Sequence, residues 1–145
     1  MTKLCTLAAL VMTRVLIIDD DPSVGAAIRL TLARHGAHAV HTLTAHSGLQ
    51  AFRSTDFDLV IVDLFMPEKN GLEIIGKLRA LAPKVSILAI SGFRFRNSMD
   101  PGLDFLGMAE KVGATAVLPK PFTPRQLSTT IEAILNGPLA GVGCF

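Results

Sequence analysis

A short apolar run that ends in a single carboxylate constrains this chain more than any other feature. Residues 59–62 (Leu-Val-Ile-Val) lead directly into Asp63, and Pro67, Asn70 and Gly71 then mark a loop. A run that is apolar on both faces and partly β-branched is typical of a strand buried in a parallel sheet. The end of such a strand lies at the sheet edge where open α/β folds bind ligands. Asp63 is therefore a candidate functional residue, although an Asp that only caps the next turn would give the same local pattern.

The alternation of a strand with a helix recurs along the whole chain. Apolar runs predict strands at 14–18, 38–42, 59–63, 85–90 and 114–118, and helical spacing predicts a helix after each of them. The fourth of these helices is expected to start near position 101 and the fifth at position 124. Strands joined in this way by helices form a parallel sheet with helices on both faces. We therefore expect an α/β fold, a doubly wound parallel sheet of five βα units.

The composition agrees with one domain that has a hydrophobic core. The chain has 145 residues, of which 50% are hydrophobic and 18% are charged, and a disordered chain has neither property. The net charge of +2 gives no case for a nucleic-acid partner. The two cysteines, Cys5 and Cys144, have no metal-binding spacing and favour a reducing compartment.

The first twelve residues are apolar but do not resemble a membrane anchor. They are shorter than the ~20 apolar residues that a membrane span needs, and no small-residue cleavage pattern precedes Arg14. We therefore expect residues 1–12 to be an N-terminal extension outside the fold, residues 13–137 to form the domain and residues 138–145 to be a tail. No membrane association is predicted.

Polar side chains with useful chemistry stand at the ends of four predicted strands. The first strand ends at Asp19 and Asp20, the third at Asp63 and the fourth at Ser91, and Lys120 follows the fifth. Because parallel strands end at one edge of the sheet, these side chains should converge. Three neighbouring carboxylates repel one another unless a cation is present, and Mg²⁺ favours one or two carboxylates together with phosphate oxygens and water. The set favours phosphoryl transfer onto an Asp.

Four motifs in this order make the chain similar to a known family. They are Val-Leu-Ile-Ile-Asp19-Asp20-Asp-Pro, Asp58-Leu-Val-Ile-Val-Asp63-Leu-Phe-Met-Pro, Ser91-Gly92 and Leu-Pro-Lys120-Pro-Phe. Over roughly residues 13–136 the chain resembles the receiver domain of two-component response regulators, of the stand-alone, single-domain type. The resemblance implies a flavodoxin-like sheet with strand order 2-1-3-4-5 and a cytoplasmic location.

The resemblance also implies a role for each motif residue. Asp63 would accept a phosphoryl group from a sensor histidine kinase or a histidine phosphotransfer protein. Ser91 would be the switch hydroxyl that moves to the phosphoryl group, and Lys120 would bind another phosphoryl oxygen. The implied ligands of Mg²⁺, or alternatively of Mn²⁺, are Asp19, Asp20, Asp63 and the backbone carbonyl of Phe65.

Three features depart from the family pattern or distinguish this chain within it. Val117 stands where the family usually has Tyr or Phe, whose ring couples to the switch hydroxyl. We therefore do not expect an aromatic ring to respond to Ser91 in this chain. The segment Phe93–Gly102 makes the connection from Ser91 to Lys120 unusually long. Phe65 and Phe93 occupy the positions that resemble the family's controls on attacking water, which predicts a long-lived phosphoryl group.

We therefore expect a phosphoacceptor that signals to a downstream protein target. The sequence leaves open whether the protein forms a homodimer. The protein would be no enzyme beyond its own phosphoryl acceptance and slow dephosphorylation. The alternative is a docking module that works without phosphorylation, which Val117 and the long connection favour weakly. An aspartyl phosphatase is disfavoured, because Phe65 stands where such enzymes commonly have a second Asp.

Four histidines fall within one region of the sequence. They are His35, His38, His41 and His46. A metal site would need at least three of them to converge, and the alternation of side chains along a strand separates some of them. We therefore predict that these histidines line a solvated edge of the sheet.

Overall fold

The structure is a computed structural model that describes residues 10–67, 69–92 and 105–136, with only the backbone described at 105 and 106. Each predicted strand is followed by a helix in this structure. The strands within these residues are β1 (Arg14–Ile18), β2 (His38–Thr42), β3 (Leu59–Asp63), β4 (Ser86–Ser91) and β5 (Ala116–Pro119). The helices are α1 (Pro22–Ala33), α2 (Ala45–Ser54), α3 (Gly71–Leu81), α4 (Phe105–Val112) and α5 (Pro124–Asn136). The segment Phe93–Gly102 and the predicted helix start near position 101 lie outside the described residues.

All strand pairs are parallel, and the sheet has the order β2-β1-β3-β4-β5. This confirms the predicted fold and strand order. The register aligns the carboxyl ends of the central strands, because Asp63 lies opposite Ile90 and Ser91 lies opposite Pro119. The ends of β1, β3, β4 and β5 therefore form one continuous edge.

The sheet is covered on both faces because its strands are apolar on both faces. Every residue of β3 is buried. On one face, the alternating residues that include Leu16 and Val60 pack against α2, α3 and α4. On the other face, the set that includes Ile17 and Ile61 packs against α1 and α5. The two cores hold the central strands in place, so the residues at the ends of these strands also have fixed positions.

Side-chain caps begin the first and last helices. The Oδ1 atom of Asp21 accepts a hydrogen bond of 2.9 Å from the Ser23 N–H at the start of α1. Thr123 and Gln126 exchange bonds at the start of α5, the Thr123 N–H donating to Oε1 at 2.8 Å and the Gln126 N–H donating to Oγ1 at 3.0 Å. These bonds satisfy N–H groups that have no partner within a helix.

The predicted N-terminal boundary is wrong at residues 10–12. Leu10 is fully buried among the residues that α1 and α5 cover. The Met12 N–H donates to the Gly36 carbonyl at 3.0 Å, and the Thr13 N–H donates to the Leu10 carbonyl at 3.1 Å. An apolar side chain next to an uncovered part of a core gains free energy by filling it, which a boundary drawn from strand pattern misses. Residues 1–9 and the predicted tail 138–145 lie outside the described residues.

Arg79 links the two connections that precede β4 and β5, at the edge of the sheet opposite to the acids. Its guanidinium group donates to four backbone carbonyls of the α3–β4 and α4–β5 connections, those of Ala82, Pro83, Val85 and Gly113. The planar, five-donor fork of arginine suits this arrangement.

Within the part of the chain that the structure describes, no helix combines the length and the apolar character that crossing a bilayer requires.

Candidate functional site

Asp63 is the last residue of β3, and its side chain is only 5% exposed. Its Oδ1 atom accepts a hydrogen bond of 3.0 Å from the Phe65 N–H. Its Oδ2 atom lies 3.4 Å from the Nζ atom of Lys120. One oxygen thus makes the local turn bond that a capping Asp would make, while the other faces an ammonium group. Asp63 therefore does more than cap a turn.

The two acids after β1 differ in their surroundings. Asp19 is fully buried; its Oδ1 atom accepts a bond of 2.9 Å from the Asp21 N–H, and its Oδ2 atom lies 3.0 Å from Nζ of Lys120. Asp20 is exposed. One carboxylate oxygen from each of Asp19, Asp20 and Asp63 lies within 4.8 Å of the others. The structure thus brings together the three acids that the sequence placed at strand ends.

Lys120 and Ser91 complete the same edge. The Lys120 N–H donates to the Ser91 carbonyl at 2.7 Å, which extends the β4–β5 pairing by one bond. Ser91 is the last residue of β4 and is buried. The Lys120 side chain reaches from this point to both Asp19 and Asp63. A single ammonium group therefore bridges the two buried carboxylates.

Burial and neighbouring charges shift the pKa values of Asp63 and Lys120. Burial raises the pKa of Asp63 to about 6, although the Phe65 N–H and the Lys120 ammonium group partly oppose the shift. Burial alone would lower the pKa of Lys120, but the carboxylates of Asp63 and Asp19 outweigh it and raise that pKa. The Lys120 side chain thus holds its proton more tightly than an ordinary lysine, and the Asp63 carboxyl group loses its proton at a higher pH than an ordinary aspartate.

The donor set suits a hard divalent cation. Three carboxylates around one ammonium group leave excess negative charge in a partly dry site, and a divalent cation would neutralise it. All the candidate ligand atoms are carboxylate oxygens, which Mg²⁺ and Mn²⁺ prefer. Phe65 lies two residues beyond β3 and pairs with Asn70, and its carbonyl as a further ligand stays a prediction.

The loop that follows Asp63 folds tightly onto the end of β3. The Gly71 N–H donates to the Leu64 carbonyl at 3.0 Å. A Cβ atom on Gly71 would lie 2.5 Å from the Leu64 Cα atom and 2.6 Å from the Asp63 carbonyl oxygen. Any other residue would therefore push the loop away from Asp63.

One side chain beside the acids was assigned wrongly from the sequence. The prediction of a solvated histidine edge is wrong for His41, whose half-buried ring has Nε2 at 2.8 Å from the Asp19 carbonyl oxygen. His38 and His46 are exposed, as the prediction requires. The one sequence signal for His41 was its position on an alternating strand next to the acidic turn. That signal could not show which group the ring contacts.

Comparison with known proteins gives consistent results. A model of the response regulator receiver domain family matches residues 15–132. The transcriptional regulatory protein RprY of Bacteroides fragilis (strain YCH46) is 29% identical to this chain over 123 residues. The cell cycle response regulator CtrA of Brucella ovis is 30% identical over 123 residues. Each alignment covers 85% of this chain, and 49% of RprY or 50% of CtrA. The chain thus spans about half the length of these curated relatives.

A solved structure gives the same result for the fold. The crystal structure of a CheY-like response regulator receiver domain protein from Methanospirillum hungatei JF-1 matches with a TM-score of 0.75 and 27% sequence identity. The match covers 86% of this chain and 94% of that protein. Nearly all of that receiver domain therefore has a counterpart here.

Proposed function

This chain belongs to the response regulator receiver domain family of two-component signalling, and from that premise we propose that it accepts a phosphoryl group on Asp63. The observation that carries the proposal is the placement of one Asp63 carboxylate oxygen 3.4 Å from the Lys120 ammonium group, with oxygens of Asp19 and Asp20 within 4.8 Å. A nucleophile, a cation to receive phosphoryl charge and ligands for a metal ion are thereby in one place.

In the proposed reaction, a carboxylate oxygen of Asp63 attacks the phosphorus atom of a phosphohistidine. A phosphorus–oxygen bond forms, the phosphorus–nitrogen bond breaks, and the histidine leaves with its electron pair. Lys120 pairs with a phosphoryl oxygen, Asp19 holds Lys120 in position, and the Ser91 hydroxyl donates to another phosphoryl oxygen. Mg²⁺ or Mn²⁺, held by the carboxylates of Asp19, Asp20 and Asp63 and the carbonyl of Phe65, would supply positive charge to the transferred group.

The proposed partners follow from this chemistry. A sensor histidine kinase or a histidine phosphotransfer protein donates the phosphoryl group, and a downstream protein reads the modified state. We propose that the chain acts in the cytoplasm through contacts with other proteins, with neither nucleic acid nor membrane as its direct partner. It would have no enzymatic activity beyond its own phosphoryl acceptance and slow dephosphorylation.

The test is phosphoryl uptake from acetyl phosphate, followed by intact-protein mass spectrometry with Mg²⁺ and with excess EDTA. We expect the mass of one phosphoryl group to be added with Mg²⁺ and no addition with EDTA. Absence of uptake with Mg²⁺, repeated with a panel of histidine kinases, would instead support the second candidate, a docking module that works without phosphorylation. Val117, in place of the usual aromatic residue beside the switch, is the observation that favours this candidate.

The apolar side chain of Phe65 leads to a prediction about the lifetime of the phosphoryl group. Phe65 is two residues beyond Asp63 and half-buried, so its ring should hinder water near the acyl phosphate. Phe93, the second ring in the hypothesis, lies outside the described residues. We expect Phe65→Asn combined with Phe93→Glu to dephosphorylate several-fold faster than the wild type, measured as loss of the added mass after the donor is removed. An equal rate in the double variant would refute the hypothesis.

A further inference from the structure

The His41 side chain makes a specific contact with the acidic turn that follows β1. His41 is in β2, paired in register with Ile17 of β1, and its ring is half-buried. Its Nε2 atom lies 2.8 Å from the carbonyl oxygen of Asp19. Because a carbonyl oxygen accepts hydrogen bonds and never donates them, Nε2 carries the proton and donates. His41 therefore holds one end of the peptide group that links Asp19 to Asp20.

Helix α1 leaves a space for this ring. A Cβ atom added to Gly25 would lie 1.9 Å from Cε1 of His41, 2.1 Å from Nδ1 and 2.4 Å from Nε2. Gly25 is also in the first turn of α1, where its N–H donates to the Asp21 carbonyl at 3.1 Å. The His41 ring thus lies between the first turn of α1 and the end of β1. A glycine in the facing helix is what allows it to reach the Asp19 carbonyl.

The contact bears on the predicted metal ligands. Two further bonds fix Asp19 itself, its N–H donating to the Thr42 carbonyl at 3.1 Å and its Oδ1 atom accepting from the Asp21 N–H at 2.9 Å. The His41 bond orients the peptide leading into Asp20, a residue that is exposed. If that peptide rotates, the Asp20 carboxylate moves relative to those of Asp19 and Asp63.

We propose that His41 is a positioning residue for the metal site, acting through the Asp19–Asp20 peptide. The proposal rests on the proposed function, since it assumes that the three acids hold a divalent cation. Groups that orient metal ligands without touching the metal typically change metal affinity by about 10-fold or more when they are removed. The donor of His41 acts in this way, and Gly25 provides the space that the donor needs.

The test is a titration of the whole chain with Mg²⁺ at pH 8. The backbone amide NMR signals of residues 19–21 report the binding. We expect His41→Leu, which keeps apolar bulk and loses the donor, to weaken Mg²⁺ binding by about 10-fold. His41→Gln keeps an N–H donor and should bind Mg²⁺ much more tightly than His41→Leu. Unfolding midpoints of every variant establish that it is folded during the titration.

A matched control comes from the next residue of β2. The Thr42 hydroxyl donates to the Ile17 carbonyl at 3.0 Å, so Thr42→Val removes a side-chain bond between the same two strands. The Thr42 carbonyl that accepts from the Asp19 N–H is kept in this variant. We expect Thr42→Val to bind Mg²⁺ like the wild type. If Thr42→Val weakens binding as much as His41→Leu does, the effect is general loosening of the sheet and the proposal fails.

A second variant tests the same inference without altering the histidine. Gly25→Ala should displace the ring and weaken Mg²⁺ binding, whereas the same change in a His41→Ala background should weaken it no further. Suppose that the wild type binds Mg²⁺ and takes up a phosphoryl group. Unchanged Mg²⁺ binding in folded His41→Leu and Gly25→Ala would then overturn the role of His41 and leave the proposed function intact. A wild type that binds no Mg²⁺ would overturn the proposed function and this inference together.

Discussion

Replacing Asp63 with asparagine should stabilise the metal-free protein at pH 8 by up to about 3 kcal/mol while abolishing phosphoryl uptake. Burial raises the pKa of Asp63 from 3.8 to about 6 in the folded protein. The folded state therefore binds this proton more tightly than the unfolded state does. The favourable contribution is complete below about pH 4 and is lost as the pH rises through about 6. Asparagine carries no charge at any of these pH values, so the variant escapes that loss.

The measurement is urea unfolding in EDTA from pH 4 to pH 8. The wild type should lose stability relative to Asp63→Asn across this range, and the two should converge toward the acidic end. Asp56→Asn, the same change at an exposed position, is the control and should follow the wild type at each pH. Equal pH dependence in the wild type and Asp63→Asn would contradict the assigned cause, which is the cost of ionising a buried carboxylate.

Replacing Arg79 with alanine should lower the free energy of unfolding by about 3 kcal/mol. The guanidinium group donates to the Gly113 carbonyl at 2.6 and 3.2 Å and to the Val85 carbonyl at 2.6 Å. It also donates to the carbonyls of Ala82 and Pro83 at 3.3 and 2.9 Å. Hydrogen bonds to charged groups contribute about 1.5–3 kcal/mol each, but bonds that share one side chain and are partly open to water do not add in full.

Urea unfolding at pH 7 measures this effect, and the chain offers a matched control. Arg29→Ala makes the same change at an exposed position of α1 and should alter stability by less than about 0.5 kcal/mol. Arg79→Lys should recover only part of the loss, since an ammonium group cannot reach carbonyls in several directions at once. A loss in Arg79→Ala no larger than in Arg29→Ala would show that these bonds contribute nothing.

The strand ends could be predicted from the sequence because they depend on local pattern and topology. The buried run before Asp63 specifies a strand without reference to the rest of the chain, and parallel connections then require the acids and Lys120 to share an edge. Lys120 indeed lies 3.0 Å from Asp19 and 3.4 Å from Asp63 along that edge.

The remaining features depend on contacts between distant segments, which no local pattern records. His41 reaches a carbonyl 22 positions away, and it does so through a space that exists only because Gly25 faces it. Arg79 bonds to a carbonyl 34 positions away. Leu10 is buried in the core that also contains Ile28 and Ile131, residues of two helices distant in sequence. The raised pKa of Asp63 likewise requires knowledge of how deeply its strand is covered.

Locating the phosphoryl group tests directly whether Asp63 is the phosphoacceptor. Protein treated with acetyl phosphate and Mg²⁺ is reduced with sodium borohydride, which converts the acyl carbon of an aspartyl phosphate to an alcohol and releases phosphate. Peptide mass spectrometry then finds the homoserine that this reduction creates. We expect homoserine at position 63 and none in a sample that received EDTA before the donor. Homoserine at another aspartate, with position 63 unchanged, would contradict this expectation.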